Sequence, residues 1–440
     1  DQQRFSPLEQ IDRDNVGQLG LAWSRGLPVG TQETTPIVYD GVMYLAQPGA
    51  SILAVDATNG DEIWSYRRQI PAEAVEFVGR PESARTKSIA MFDDLIFYPA
   101  PDGFLVALDA RTGDVRWETE IFEPETRTQH TGGVLVADGK VLTNRSCQQR
   151  VGCFISAHDA VTGEELWKFY NTAGPETRDG DTWGNRPVEQ RVASSWGLPG
   201  SYDPERRLTY WGIANPSPYT RLTRHGSPDG TAITAPADLY SNSTVALDID
   251  TGELSWYYQH LPGDDWDLDH PHERTVLSTR VEPDPDLVKW INPSIEPGEQ
   301  REVVASVGEG GGIWLLDRTT GEFLWSMPFP YDIPEFHIAD INVETGRTTL
   351  NYDRVFKQDG DRTLVCYHNT RSFWSTAYDP TRNALYIPFH DACLDMTANS
   401  STPSGFGPRN GILRPGVDPD EYAGIAKVDL ATGRMERIHS

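Results

Sequence analysis

The sequence predicts an all-β fold, a β-propeller of four-stranded sheets, on three observations: a recurring hairpin phrase, abundant tryptophan, and turn residues throughout. The phrase appears as AVDATNGDEIW, ALDARTGDVRW, SAHDAVTGEELW, ALDIDTGELSW and LLDRTTGEFLW, ending at Trp64, Trp117, Trp167, Trp256 and Trp325. A worn copy, KVDLATGRMERI, puts Ile438 where the tryptophan would stand. Such repetition marks an architecture in which each unit covers its neighbour's apolar face. In every copy an alternating apolar strand ends in Asp, Gly of the Thr-Gly or Asn-Gly pair takes a positive φ, and a second strand returns the tryptophan. The Asp accepts from turn N–H groups, and the indole docks on the next unit.

Each element follows from this pattern. Residues 5–23 form a leading segment, with a short polar turn or helix feeding a strand at Leu21 to Ser24. GVMYLAQ, DLIFYPA, KVLTN, LTYWGIA and ALYIPFH supply the other strands, which makes four per unit. The intervals between tryptophans are 53, 50, 89 and 69 residues. The longest holds a Pro- and Gly-rich excursion over 174–237, read as insertion loops. With the hairpin STAYDPTRNALYIP counted, about seven units are visible, in one domain spanning residues 1–440. Function is expected on the loops.

Composition narrows the function classes. Of 440 residues, 13 are Trp, 17 Tyr and 15 Phe, enough large side chains for a sizeable core. A formal net charge of −27 argues against nucleic acid and anionic membrane partners and favours basic proteins or cations. No apolar run is long enough to span a bilayer. Asp1 follows no signal-like region, so the numbering is read as starting at a mature or trimmed end. Cys147, Cys153, Cys366 and Cys393 make no CxxC, CxxCH or zinc pattern, leaving two disulfides or four buried thiols.

The densest chemistry is at 262–270, PGDDWDLDH. In an extended segment Asp265, Asp267 and Asp269 share one face and Asp264 takes the other. Crowded carboxylates raise one another's pKa unless a cation or water intervenes. The segment is therefore either a hard-cation site with a carboxylate to spare as a base, or a solvated acidic loop.

The AxDxxTGxxxW phrases, GIANPSP at 212–218 and PGDDWDLD, in that order, resemble the quinoprotein alcohol dehydrogenases. That family is built on eight-bladed propellers holding pyrroloquinoline quinone (PQQ) and a metal on the axis. The resemblance covers the chain from Phe5 onward and implies oxidation of a primary or secondary alcohol. It assigns Asp267 as the catalytic base and a metal ligand, Asn215 as a metal ligand, and Trp196 as the indole beneath the quinone. Asp269 falls where lanthanide-using members carry an additional metal carboxylate, so both Ca2+ and a lanthanide are open. Thr131, Lys87, Asn369 and Arg371 match polar positions around the quinone. Cys366–Cys393 and Cys147–Cys153 match family disulfides, the second near the cofactor, and imply the periplasm. Without a CxxCH motif, a separate cytochrome c is the implied acceptor.

Three departures stand out. CQQRVGC offers Gln148 or Gln149 where a glutamate metal ligand is expected. Glu309, in VGEGGGIWLLDR, replaces a basic residue that would polarise the quinone. Ser440 ends the seventh unit, so the family's eighth blade is not seen. The first two features also suit a non-catalytic propeller that serves as a binding or assembly scaffold. A sugar-processing propeller with paired acids is a third reading, but it leaves the tryptophan phrases and GIANP unexplained. Trp183, Tyr219, Phe373 and Trp374 are candidate pocket walls.

Overall fold

The structure, a computed structural model, describes residues 1–78, 85–122, 130–147, 152–368 and 370–439. It is almost entirely β and divides into two compact units. The smaller comprises Arg4–Ser146 and Ser156–Leu166, and the larger Asp1–Gln3, Cys147–Ile155 and Trp167–Ser440. Among the described residues, no helix is long and apolar enough to cross a membrane.

In the smaller unit the hairpin phrases build two antiparallel meanders. Ile37–Tyr39, Val42–Gln47, Ser51–Asp56 and Glu62–Arg67 form one; Ala90–Phe92, Leu95–Pro99, Phe104–Asp109 and Val115–Glu120 form the other. Leu135–Ala137, Lys140–Asn144, Phe154–Asp159 and Glu165–Tyr170 make a sheet of the same order. Inner strands alternate buried apolar residues, gathering Ile52, Ala54, Ile96, Val106 and Leu108 into a core.

In the larger unit, Ser201–Asp203, Leu208–Gly212, Ser243–Asp248 and Leu254–Gln259 form another meander. Thr275–Val281, Glu299–Val307, Ile313–Asp317 and Phe323–Met327 follow, with Trp290–Ile291 as a fifth edge strand. Ala377–Asp379, Ala384–His390, Ala423–Asp429 and Met435–His439 form the last large sheet. The hairpin and the worn phrase, two units by sequence, thus share one sheet. Six sheets of four or five strands are present among the described residues, not seven. Short strands at Arg362–Val365, Ala392–Thr397 and Asn410–Leu413 make a separate three-stranded sheet.

Each phrase folds by one local mechanism. Asp159, Asp248 and Asp317 each accept from two backbone N–H groups of their own turn. A one-residue register shift follows the residue opposite the tryptophan, as at Ala54 opposite Trp64 and Ala246 opposite Trp256. Such a bulge re-aims the returning strand. The indoles dock as the pattern requires: Trp64 donates to Ala110 O (3.0 Å), Trp117 to Ala160 O (3.2 Å), Trp167 to Ile249 O (2.9 Å) and Trp256 to Arg318 O (3.3 Å). Each ring lies where a Cβ on the turn glycine would collide, 2.5–2.6 Å away at Gly113, Gly163, Gly252 and Gly321.

Two further places differ from the sequence reading. No strand forms at Leu21–Ser24, where Leu21 is 85% exposed, because no partner strand lies beside it among the described residues. Trp23 nevertheless docks on Ala57 O (3.0 Å) and over Gly60 like the repeat tryptophans, without a phrase before it. Trp325 leaves the pattern: it is fully buried with Nε1 unpartnered, and Val288 covers Gly433 instead.

Candidate active site

The loop excursion supports the acidic segment. Residues 221–225 form a short helix capped by Thr220 and closed by Gly226 in the left-handed conformation. Its two arginines point inward. Arg221 donates to the carbonyls of Pro228, Thr231, Ala232 and Gly263; Arg224 donates to Pro218, Tyr219 and Asp264 O and to the Asp238 carboxylate. These bonds pin irregular backbone that no sheet satisfies.

The segment 262–270 is not extended: Asp267 and Asp269 lie together and Asp264 apart as expected, but Asp265 does not join them. The chain reverses at Asp267, whose φ is +65°. The four carboxylates divide into two pairs by role. Asp264 accepts from the N–H groups of Trp266 and Leu268 (both 2.8 Å), and Asp265 from those of Arg221 (2.5 Å) and Phe356 (2.7 Å). Burial pushes them up to about 6 and about 7 respectively, against the pull of these bonds. They shape the loop. Trp266, fully buried, donates to Arg354 O (3.0 Å).

Asp267 and Asp269 converge on Asn215. Asn215 Nδ2 donates to Asp267 Oδ1 (2.6 Å), and its backbone N–H donates to Asp269 Oδ1 (2.9 Å). Trp196 Nε1 donates to the other oxygen of Asp269 (2.8 Å), with its ring edge-on to His272. Glu309 N–H donates to Asp269 O (2.8 Å), and the Glu309 side chain is buried. Burial, then the neighbouring aspartates, pushes the Glu309 carboxyl well above its ordinary range; burial and Asp267 push up Asp269. Asp267 is also raised by burial, opposed by Arg409 and Asn215. Arg409 Nη1 donates to Asp267 Oδ2 at 2.7 Å, and the two side chains are 38% and 16% exposed.

Sequence reasoning named Asp267, Asp269, Asn215 and Trp196, and the structure brings these four together. It missed Arg409, 142 residues along the chain from Asp267, for which no local motif exists. Arg371 is near Glu309 but buried in an ion pair with Glu273, and it also donates to Val307 O and Trp374 O. Glu273 further accepts from Thr376 N–H and Oγ1. Trp183 is core, with its Nε1 on Leu239 O. In the smaller unit Lys87 pairs with Glu33 (3.3 Å) and donates to Thr131 O (3.3 Å), while Thr131 Oγ1 donates to Ser146. Gln148, Gln149 and Asn369 lie outside the described residues. All four cysteines are paired, Cys147–Cys153 and Cys366–Cys393. The second pair joins neighbouring strands through the Val365–Leu394 register.

The donor set fits a hard cation in kind: Asp267 and Asp269 converge on the Asn215 amide with buried Glu309 beside Asp269 and one arginine against them. Among the described residues, no three acidic, histidine or cysteine side chains form a cage as they stand, and Asn215 and Arg409 occupy Asp267's two oxygens. The half-buried Trp196 indole is fixed along its N–H edge by Asp269, as a stacking platform requires.

Comparison with known proteins agrees with the fold. Residues 1–330 match the family described as PQQ: Glucose/ethanol/alcohol dehydrogenase, beta-propeller domain. Quinohemoprotein alcohol dehydrogenase ADH-IIG of Pseudomonas putida is 31% identical over 420 residues, 89% of this chain and 53% of that protein. The dehydrogenase subunit of alcohol dehydrogenase (quinone) from Gluconobacter oxydans (strain 621H) is 29% identical over 416 residues, 88% of this chain and 51% of its own. The solved ADHIIG structure from Pseudomonas putida HK5 superposes with a TM-score of 0.81 at 28% identity, over all of this chain and 65% of that one. A europium-containing methanol dehydrogenase, at TM-score 0.82 and 24% identity over all of this chain and 76% of that one, shares the fold. The chain spans about half the length of the curated relatives it matches. It belongs to the PQQ-dependent quinoprotein alcohol dehydrogenase family and is a β-propeller of that kind.

Proposed function

We propose that this chain carries the chemistry of a PQQ-dependent dehydrogenase that oxidises a primary or secondary alcohol to an aldehyde or ketone. The observation that carries the reading is the convergence of Asp267 and Asp269 on Asn215 beside buried Glu309, in a chain of this family. Uncompensated buried acids cost several kcal/mol, so a scaffold gains nothing by gathering them. A hard cation, Ca2+ or a lanthanide, offsets that cost, held by Asp267, Asp269 and the Asn215 side-chain oxygen. Asp269 supplies the negative charge that Gln148, a neutral amide, lacks.

PQQ, when bound, supplies a two-electron acceptor for the carbinol hydrogen. Asp267 takes the hydroxyl proton: of the three acids it keeps the most solvent access, and Asn215 and Arg409 fix both its oxygens. Trp196 supports the quinone plane, oriented through Asp269. The assignments of Lys87, Thr131, Arg371, Asn369 and the Cys147–Cys153 disulfide to the quinone rest on the family resemblance. A periplasmic location and electron delivery to a separate cytochrome c belong to the same reading.

The scaffold reading is favoured by one observation, the occupation of Asp267 by Asn215 and Arg409. Purified protein given PQQ with Ca2+ or a lanthanide decides between the two, through alcohol-driven reduction of an artificial dye. The enzyme turns over, and Asp267→Ala lowers kcat by about 10²–10⁴-fold with the melting temperature kept. A scaffold shows no PQQ-dependent turnover, and its Asp267→Ala variant is as stable or more so.

A further inference from the structure

The Arg409 guanidinium uses one of its nitrogens on Asp267. Nε and Nη2 have no hydrogen-bond partner among the described residues, and the side chain is 38% exposed. A ring contact adds to the ion pair in holding the group. The guanidinium lies 5.5 Å over the Phe406 ring, and Phe406 is buried against Tyr219 at 5.8 Å. The Tyr219 N–H donates to Ser404 O (3.0 Å), and a Cβ on Gly405 would lie 2.2 Å from Thr220 Oγ1, so the 404–406 backbone sits tightly on the loop that carries Asn215. A planar cation is thus held beside the base by one hydrogen bond and a ring contact, with Nε and Nη2 unpaired among the described residues and its side chain 38% exposed.

Resting on the reading of Asp267 as the base, we propose that Arg409 selects alcohols bearing a second, neutral oxygen a few atoms from the reacting carbinol, namely diols, polyols and ether alcohols. An alkyl chain laid over those N–H groups strips their water without replacing its hydrogen bonds, which costs binding. A hydroxyl or ether oxygen accepts from them instead. A carboxylate would also suit a guanidinium, but Arg409 is already paired with the Asp267 carboxylate, which a second anion on the same guanidinium would meet at close range. A neutral acceptor escapes that repulsion.

The test uses protein reconstituted with PQQ and its activating metal, and compares 1,4-butanediol with 1-pentanol, which has the same number of heavy atoms, and with 4-hydroxybutyrate. Wild type favours the diol over the alkanol by about tenfold in kcat/KM, the size of one hydrogen bond to a charged group tempered by solvent access. Arg409→Met brings that ratio to about one, and Arg409→Lys keeps part of it. An unchanged ratio in Arg409→Met, or 4-hydroxybutyrate used better than the diol, overturns the proposal. Should no alcohol be oxidised by the wild type, the activity reading fails on its own. Calorimetric binding of the diol and the alkanol to wild type and Arg409→Met then judges the selectivity, which falls if Arg409 makes no difference.

Discussion

At the scale of single residues, the loop that presents Asp267 is held by one fully buried ion pair. Arg224 Nε lies 2.8 Å from Asp238 Oδ2, with neither side chain exposed, and His225 Nε2 is 3.1 Å from the other oxygen. Burial alone would raise the Asp238 carboxyl, but Arg224 and then His225 outweigh it and hold it at about 2. A carboxyl lowered on folding stabilises the protein above its unfolded value and loses that contribution as pH falls towards the folded one. Stability at this site is therefore lost between about pH 4 and pH 2. Asp238→Asn is expected to cost about 3–5 kcal/mol at pH 7, because it leaves Arg224 buried and unpaired. It should also flatten the acid limb of stability in a urea-unfolding series across pH; a limb as steep as the wild type's would show that other carboxylates set it. None of this was legible in the sequence. PGDDWDLDH announced four acids, but which two shape the loop and which two face Asn215 depends on the reversal at Asp267 and on N–H groups of Arg221 and Phe356, far away in sequence.

At the scale of elements, the tryptophan dock is the repeating join. Trp256 donates to Arg318 O and covers Gly321, whose φ is +75° and where a Cβ would stand 2.5 Å from the ring. Trp256→Ala should cost about 3–5 kcal/mol. Gly321→Val, which adds both strain and a collision, should cost about 1–3 kcal/mol. Equilibrium unfolding in urea measures both, and a Gly321→Val protein as stable as wild type would remove the dock from the account. Substitution of Val161 by Ala, at a turn position 70% exposed, is the control, expected within about 0.5 kcal/mol. The phrase itself made the hairpins and their order readable. It did not reveal that Trp325 abandons its dock to Val288, or that the last hairpin and the worn phrase complete one sheet, because both depend on what packs beside them.

At the scale of the whole molecule, the net charge of −27 sets long-range behaviour. If a basic cytochrome c takes the electrons, its association rate should fall at least about tenfold between low ionic strength and 0.5 M salt, through screening of the attraction. Stopped-flow reduction of the cytochrome by substrate-loaded protein measures this, and a salt-independent rate would mean that the charge does not steer the encounter.

The sequence by itself determined the local code: strand, Asp-anchored turn, glycine with positive φ and returning indole, repeated often enough to specify a β-propeller. The family resemblance singled out Asp267, Asp269, Asn215 and Trp196, each of which lies in a short contiguous motif. Only the tertiary structure decided which acids face one another, that Arg371 is committed to Glu273, and that Arg409 reaches Asp267 from another loop. The reason is physical. Turn and strand preferences act over a few residues, whereas the protonation and partners of a buried carboxylate are set by whatever side chains the fold brings within a few ångströms, at any separation along the chain.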